Sequence, residues 1–218
     1  MFWRYNALTS HIDTLLDKEN VTLHELMDED DILQECKGQN NKLIDFLVLP
    51  HVMEELVQLV TCEPGEDVED KVKYKYPNIA CELLTSDVPQ ILDKLVENNT
   101  YIDKIYNFLL CEHQLNPLLA SFFTKVLGLL LVRKPDYLFE YLVAKDDFLG
   151  HLLTHLGTSA IMDLLMRLIT YDPVISVKSR ILKWLDDENL VEKLVNLVHV
   201  DQAEEVGISQ YTILFCYM

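Results

Sequence analysis

Apolar residues recur along most of this chain with the spacing of amphipathic helices. In the stretch 157–170, GTSAIMDLLMRLIT, the residues at i, i+3, i+4 and i+7 are Ile161, Leu164, Leu165 and Leu168. This spacing places them on one helix face. Thr158 or Ser159 is the expected N-cap, because side-chain oxygens there accept hydrogen bonds from first-turn amides. A nucleophile elbow would need glycine at position 161, so we disfavour a catalytic Ser159.

Four segments repeat one pattern, a short amphipathic helix, a polar break and a second amphipathic helix. They occupy 42–60, 90–110, 136–156 and 180–198. When Leu43, Ile91, Leu138 and Ile181 are aligned, the intervals are 48, 47 and 43 residues. HEAT and armadillo repeats have periods of about 40–47 residues. A third apolar helix is predicted between successive pairs, at 76–85, 116–132 and 157–170.

The repeats predict an all-α fold, an armadillo/HEAT-like helical-repeat solenoid of about four repeats over residues 1–205. No sustained apolar and polar alternation predicts a strand. Glycine and proline fall mainly at the predicted breaks, and Pro77, Pro117 and Pro135 suit first helical turns. Repeat units cover one another's apolar faces and leave an extended surface, which favours a protein-binding function.

The stretch Leu115–Val132 is the longest apolar run and nearly long enough to cross a bilayer. Lys125 lies inside it, and Asn116 and Pro117 stand at its start. A helix buried on all sides by other helices explains this composition better than a membrane span. We therefore expect no membrane association.

The charge balance is strongly acidic, with 36 acidic and 18 basic residues and a formal net charge of −18. Such a field repels phosphate backbones, so nucleic acid is a poor partner and a basic protein surface a better one. The N-terminus lacks the pattern of a signal peptide. The five cysteines contain no C-x-x-C pair and are expected to be reduced. We expect a cytoplasmic protein, with the nucleus as a further compartment.

No catalytic residue, metal site or cofactor is predicted. His151 and His155 have the i, i+4 spacing of zinc ligands, but Leu152 stands where a zincin has glutamate. The acidic run Asp28–Glu35 lacks the glycine of a calcium loop, because its sixth residue is Leu33. We interpret Asp28 to Asp31 as the solvated first turn of a helix, where acidic groups complement the helix dipole.

The segment KVKYKYPN, 71–78, interleaves lysine with tyrosine, as nucleic-acid-binding surfaces do. It directly follows the acidic segment 63–70, so local pairing or a protein contact is favoured over nucleic acid. The candidate partner-binding residues are polar or aromatic residues near the ends of the inner helices: Tyr74, Tyr76, Asn116, Arg133, Thr158 and Arg167. The alternative is that they are helix caps, packing residues and solvated helix ends.

Several segments also resemble a known family. The opening MFW is followed by LMDEDDILQECKGQN (26–40), YKYPNIACELLTSDVPQI (74–91), LNPLLASFF (115–123) and GTSAIMDLLMRL (157–168). In this order they resemble the SAPS-domain family, the regulatory subunits of protein phosphatase 6. The resemblance implies a non-catalytic helical-repeat subunit that binds the phosphatase catalytic subunit and helps select substrates, often alongside ankyrin-repeat partners. Residues 1–205 would then form the N-terminal part of a SAPS-type domain.

The last residues, 206–218, depart from the family pattern and are interpreted as a divergent tail. The leading hypothesis is therefore a regulatory scaffold of a serine/threonine phosphatase. One alternative is a general armadillo-like adaptor in trafficking or transport, and another is a truncated fragment that lacks full phosphatase binding. An enzyme is a further class of function, and it is disfavoured because the sequence contains no recognisable nucleophile motif, set of metal ligands or phosphate-binding loop.

Overall fold

The computed structural model describes residues 11–65, 68–170 and 175–199. Within these ranges the chain forms helices joined by short connections, and no strand occurs there. The all-α prediction is therefore confirmed for the part of the chain that the structure describes. The predicted tail, 206–218, lies outside the described residues.

Fourteen α-helices follow one another along the described residues. The first seven are α1 His11–Leu16, α2 Leu23–Met27, α3 Ile32–Lys37, α4 Asn41–Leu47, α5 Pro50–Thr61, α6 Tyr76–Leu84 and α7 Pro89–Val96. The others are α8 Thr100–Asn107, α9 Pro117–Arg133, α10 Pro135–Val143, α11 Phe148–Thr154, α12 Ser159–Thr170, α13 Ile175–Asp187 and α14 Leu190–His199. A π-helix, Lys71–Lys75, runs directly into α6, and 3-10 turns lie at Glu97–Asn99 and Phe108–Leu110.

The helices follow the repeat pattern of the sequence closely. The four predicted pairs correspond to α4 and α5, α7 and α8, α10 and α11, and α13 and α14. The three predicted inner helices correspond to α6, α9 and α12. Pro77, Pro117 and Pro135 stand in the first turns of α6, α9 and α10, as expected. In α9 and α10 a proline is tolerated there because the first-turn amides have no intrahelical acceptor.

Left-handed residues occupy three of the predicted breaks between paired helices. Asn98, Asp147 and Asn189 have φ values of 54°, 48° and 56°. Asparagine and aspartate adopt this conformation more readily than other non-glycine residues. The Asp147 side chain also accepts a hydrogen bond from the amide of Gly150 (3.1 Å). At these three breaks asparagine or aspartate therefore adopts the left-handed conformation for which glycine is often used, and one helix ends and the next begins there.

The described residues divide into two compact units. The first contains those up to Val60 together with Pro64–Asp103. In it α4 contacts α1, α3 and α7, while α6 contacts α2, α3 and the π-helix. The shared core is lined by fully buried aliphatic side chains, among them Leu26, Leu43 and Leu83.

The second unit contains Thr61–Glu63 and the described residues from Lys104 onward. In it α9 contacts α10 and α12, both of these contact α13, and α13 contacts α14. The buried residues of α9 are Leu119, Ala120, Phe122, Phe123, Val126, Leu127, Gly128, Leu130 and Leu131. No helix in the described ranges is long and apolar enough to cross a membrane. The apolar run identified in the sequence is thus a core helix of this unit.

The left-handed break between α13 and α14 generates a stability prediction. We expect Asn189→Ala to lower the free energy of unfolding by about 1 kcal/mol, because alanine at positive φ places its Cβ against the backbone. Asn189→Gly should stay within about 0.5 kcal/mol of the unaltered chain. Urea unfolding followed by circular dichroism measures both. Equal losses for the two variants would contradict a role for the backbone conformation.

Candidate partner-binding surface

The six candidate residues lie in both units. Tyr74 and Tyr76 belong to the first unit, where the π-helix meets α6. The other four belong to the second unit, at or near the ends of α9 and α12: Asn116, Arg133, Thr158 and Arg167. The structure therefore brings only the two tyrosines into one continuous segment.

Asn116 and Thr158 stand where helix caps are expected. Asn116 is the N-cap of α9, and its side-chain oxygen accepts from the amides of Leu118 (3.0 Å) and Leu119 (3.3 Å). Thr158 directly precedes α12, and its carbonyl accepts from the amide of Ile161 (2.9 Å). These bonds pair first-turn amides that would otherwise have no partner. The side-chain bonds give Asn116 a structural reason to be present, whereas the bond at position 158 is made by the backbone and does not depend on the threonine side chain.

Arg133 and Arg167 are exposed residues in the last turns of α9 and α12. The Arg167 guanidinium lies directly over Gly128 of α9, where an added Cβ would stand 2.7 Å from Nη1. Glycine at this position therefore leaves room for the arginine to cross the neighbouring helix. Arg167 takes part in the contact between α9 and α12 as well as facing solvent.

Asp28 binds both the π-helix and the start of α6. Lys75 Nζ donates to its Oδ1 (2.8 Å), and Lys71 Nζ donates to Oδ1 and Oδ2 (3.2 and 3.3 Å). The Tyr76 hydroxyl donates to Oδ2 at 3.4 Å. Asp28 is the C-cap of α2, and α3 begins only at Ile32. The interpretation of Asp28 as part of a helical first turn is therefore wrong.

His24 adds an aromatic contact to this cluster. Its ring stacks on the Tyr76 ring, with the centroids 4.3 Å apart and the planes 12° from parallel. Its Nε2 lies 3.5 Å from Glu55 Oε1 on α5. A capping box between Thr22 and Glu25 fixes the start of α2, so that His24 and Asp28 both face α6. Tyr76 is consequently buried, with 7% of its surface exposed.

The π-helix has a local cause in the sequence. Pro77 has no amide hydrogen and cannot donate to the carbonyl four residues before it, so the regular α-helical ladder is interrupted. The Tyr76 amide instead donates to the carbonyl of Lys71, five residues back. The Asn78 side chain donates to the carbonyl of Tyr74 (2.7 Å). Helical turns of this kind are frequent at functional sites.

The outer side of this segment carries an exposed aromatic ring between lysines. Tyr74 is 48% exposed, and Lys73 Nζ lies 5.8 Å from the centroid of its ring. We define the Tyr74 surface as Lys71, Lys73, Tyr74 and Lys75. Since exposed tyrosine is enriched where proteins bind one another, this is the candidate partner-binding surface of the first unit.

The pKa values of the charged groups reflect the Asp28 contacts. The hydrogen bond from Lys75, followed by that from Lys71, lowers the pKa of Asp28. The bond to Asp28 is also the main reason that the pKa of Lys71 is raised. Each ion pair is partly exposed, so its individual contribution to stability is small. The arrangement fixes the conformation of the segment through several contacts made together.

The histidines considered as zinc ligands have other surroundings. His151 Nδ1 lies 2.8 Å from the carbonyl of Asp147, and His155 is buried. In the described ranges no group of three histidine, cysteine or carboxylate side chains is placed to hold a metal ion.

Sequence reasoning identified the segment 71–78 but missed the residues that hold it. His24 and Asp28 lie 43 or more positions earlier in the chain, and nothing in the local spacing links them to Lys71. The feature of the sequence that could have revealed these contacts is the negative charge of Asp28, which the sequence analysis interprets as complementing a helix dipole. The nearby acidic segment 63–70 was considered as the neutralising partner instead.

Residues 127–216 match the SAPS family model, described as SIT4 phosphatase-associated protein. The serine/threonine-protein phosphatase 6 regulatory subunit 2 of Mus musculus is 53% identical over 94% of this chain and 22% of its own length. Regulatory subunit 1 of Homo sapiens is 48% identical over 94% of this chain and 23% of its own length.

A more distant relative is the extragenic suppressor of kinetochore protein 1 of Schizosaccharomyces pombe. It is 34% identical over 91% of this chain and 25% of its own length. The chain thus spans about a quarter or less of the length of these three curated relatives. No solved structure matches the chain. The resemblance read from the sequence motifs is confirmed.

The Asp28 contacts generate a prediction about the Tyr74 surface. Asp28→Asn removes the charge that holds Lys71 and Lys75, so we expect the amide of Tyr76 to exchange with solvent faster. Asp30→Asn, in the same acidic run, is the matched control and should leave the exchange unchanged. Hydrogen exchange followed by NMR measures both. Identical protection in the two variants would show that Asp28 does not hold the segment.

The same contacts depend on pH with a defined sign. The pKa of Asp28 is lower in the folded chain than in the unfolded chain. Its contribution to the stability of the fold is therefore fully present above the ordinary aspartate pKa. It is lost as the pH falls through the lowered folded value.

Proposed function

Because this chain carries SAPS-family sequence, we propose that it acts as a non-catalytic regulatory scaffold of protein phosphatase 6. In this role it binds the phosphatase catalytic subunit in the cytoplasm and helps select substrates. The observation that carries the proposal is the 48–53% identity to phosphatase 6 regulatory subunits across 94% of the chain. Ankyrin-repeat partners belong to the same proposal through the family resemblance.

We propose further that the helices stack as an armadillo/HEAT-like solenoid. The support comes from contacts between helices three places apart in the chain. In the first unit α4 contacts α7, and in the second unit α9 contacts α12 and α10 contacts α13. Such contacts join equivalent helices of successive three-helix repeats, the arrangement by which repeat proteins cover apolar faces.

The proposed mechanism is that the chain positions the phosphatase relative to its substrates and takes no part in the chemical step. A scaffold of packed helices presents a surface that is formed before the partner arrives, which lowers the conformational entropy lost on binding. The net charge of −18 adds a long-range attraction for basic surfaces on the phosphatase or its substrates. The second unit contributes Asn116, Arg133, Thr158 and Arg167 as candidate contacts. The first contributes Tyr74, and the buried Tyr76, the other candidate there, supports the segment through its contact with His24.

Capture of the catalytic subunit tests the proposal. Immobilised chain should retain purified phosphatase 6 catalytic subunit, and binding should weaken as salt screens the acidic field. A basic protein of unrelated fold serves as the control for non-specific attraction. Retention no greater than that of the control would contradict phosphatase binding and favour a fragment that lacks it, or a general adaptor.

A further inference from the structure

Lys73 differs from its two lysine neighbours in the group that its ammonium faces. Lys71 and Lys75 both donate to Asp28. The ammonium of Lys73 instead faces the Tyr74 ring at 5.8 Å, and no carboxylate of a described residue pairs with it. The Tyr74 surface therefore presents three ammonium groups and an aromatic ring, with Asp28 hydrogen-bonded to two of the cations and Glu69 close enough to Lys71 to act on its charge.

The backbone beneath this surface is held from several directions. The Tyr76 amide donates to the carbonyl of Lys71, and the Asn78 side chain donates to the carbonyl of Tyr74. Tyr76 itself is buried against His24. An aromatic side chain on such a base loses little conformational entropy when it binds, and residues of this kind often dominate binding energies.

We propose that the Tyr74 surface binds an acidic peptide segment that carries an apolar side chain next to its carboxylates. A carboxylate of the peptide pairs with Lys73, and the apolar side chain packs on the exposed part of the Tyr74 ring. Binding of this kind goes beyond the proposed phosphatase contact and does not require the phosphatase.

Salt weakens the repulsion between the acidic chain and an acidic peptide. Electrostatic interactions between exposed charges are screened over about 8 Å at an ionic strength of about 0.15 M. Charges on distant parts of the chain are therefore attenuated, and the sign of the interaction depends on the three lysines together with the nearby carboxylates of Asp28, Glu69 and Asp70. A peptide with lysine in place of glutamate meets like charge at the same position.

Fluorescence anisotropy with a labelled peptide tests the proposal on the full chain. The probe is a glutamate-rich peptide with one central leucine, measured at an ionic strength of about 0.15 M. We expect Lys73→Glu and Tyr74→Ala each to weaken binding by about fivefold or more. Tyr74→Phe keeps the ring and should retain most of the affinity.

Lys183→Glu is the matched control for charge, because Lys183 is an exposed lysine on α13. It makes the same change in net charge and should leave peptide affinity within about twofold of the unaltered chain, as expected for a residue outside the contact. Circular dichroism confirms that each variant keeps its helix content.

Three results would overturn the proposal. They are the absence of peptide binding, equal effects of Lys73→Glu and Lys183→Glu, and equal binding of the lysine-containing peptide. Since the assay contains no phosphatase, a failure of phosphatase capture leaves its outcome unaffected. The two functions can therefore fail separately.

Discussion

Helix α9 carries apolar side chains around most of its circumference and therefore cannot remain exposed to water. Only Lys125 is exposed in its central turns, whereas Phe122, Phe123 and Leu130 are almost fully buried. Burying each such side chain contributes roughly 1.5–3 kcal/mol, so the helix gains stability only when its neighbours cover it. Helices α10 and α12 contact it in the second unit, and α13 in turn contacts both of them. The organisation of this unit follows from covering one helix.

The same constraint leaves the polar segments between helices to form the surface. In the first unit the stretch that leads into α6 becomes a π-helix, because Pro77 removes one amide and Asp28 binds two lysines of the segment. This stretch is held in place by contacts with α2 and its C-cap, and Tyr74 remains exposed on its outer side. The backbone of this surface is fixed by hydrogen bonds within the chain itself.

The long helices could be predicted because their apolar spacing extends over several turns. The inner helices α9 and α12 lie within a few residues of their predicted bounds. Helices α1 to α3 are only five or six residues long, too short for a periodic pattern to be recognised in sequence. The cluster around Asp28 joins residues far apart in the chain, and the crossing of Arg167 over Gly128 depends on how two helices meet. Both required the three-dimensional structure.

The free energy of unfolding of α9 variants tests the central claim, that this helix is the core around which its unit forms. Leu130 is fully buried on α9, and Val132 on the same helix is 51% exposed. Urea unfolding should show that Leu130→Ala costs about 2–5 kcal/mol. Val132→Ala should stay within about 0.5 kcal/mol of the unaltered chain. Equal effects of the two substitutions would contradict the claim, because they would mean that burial on α9 does not determine stability.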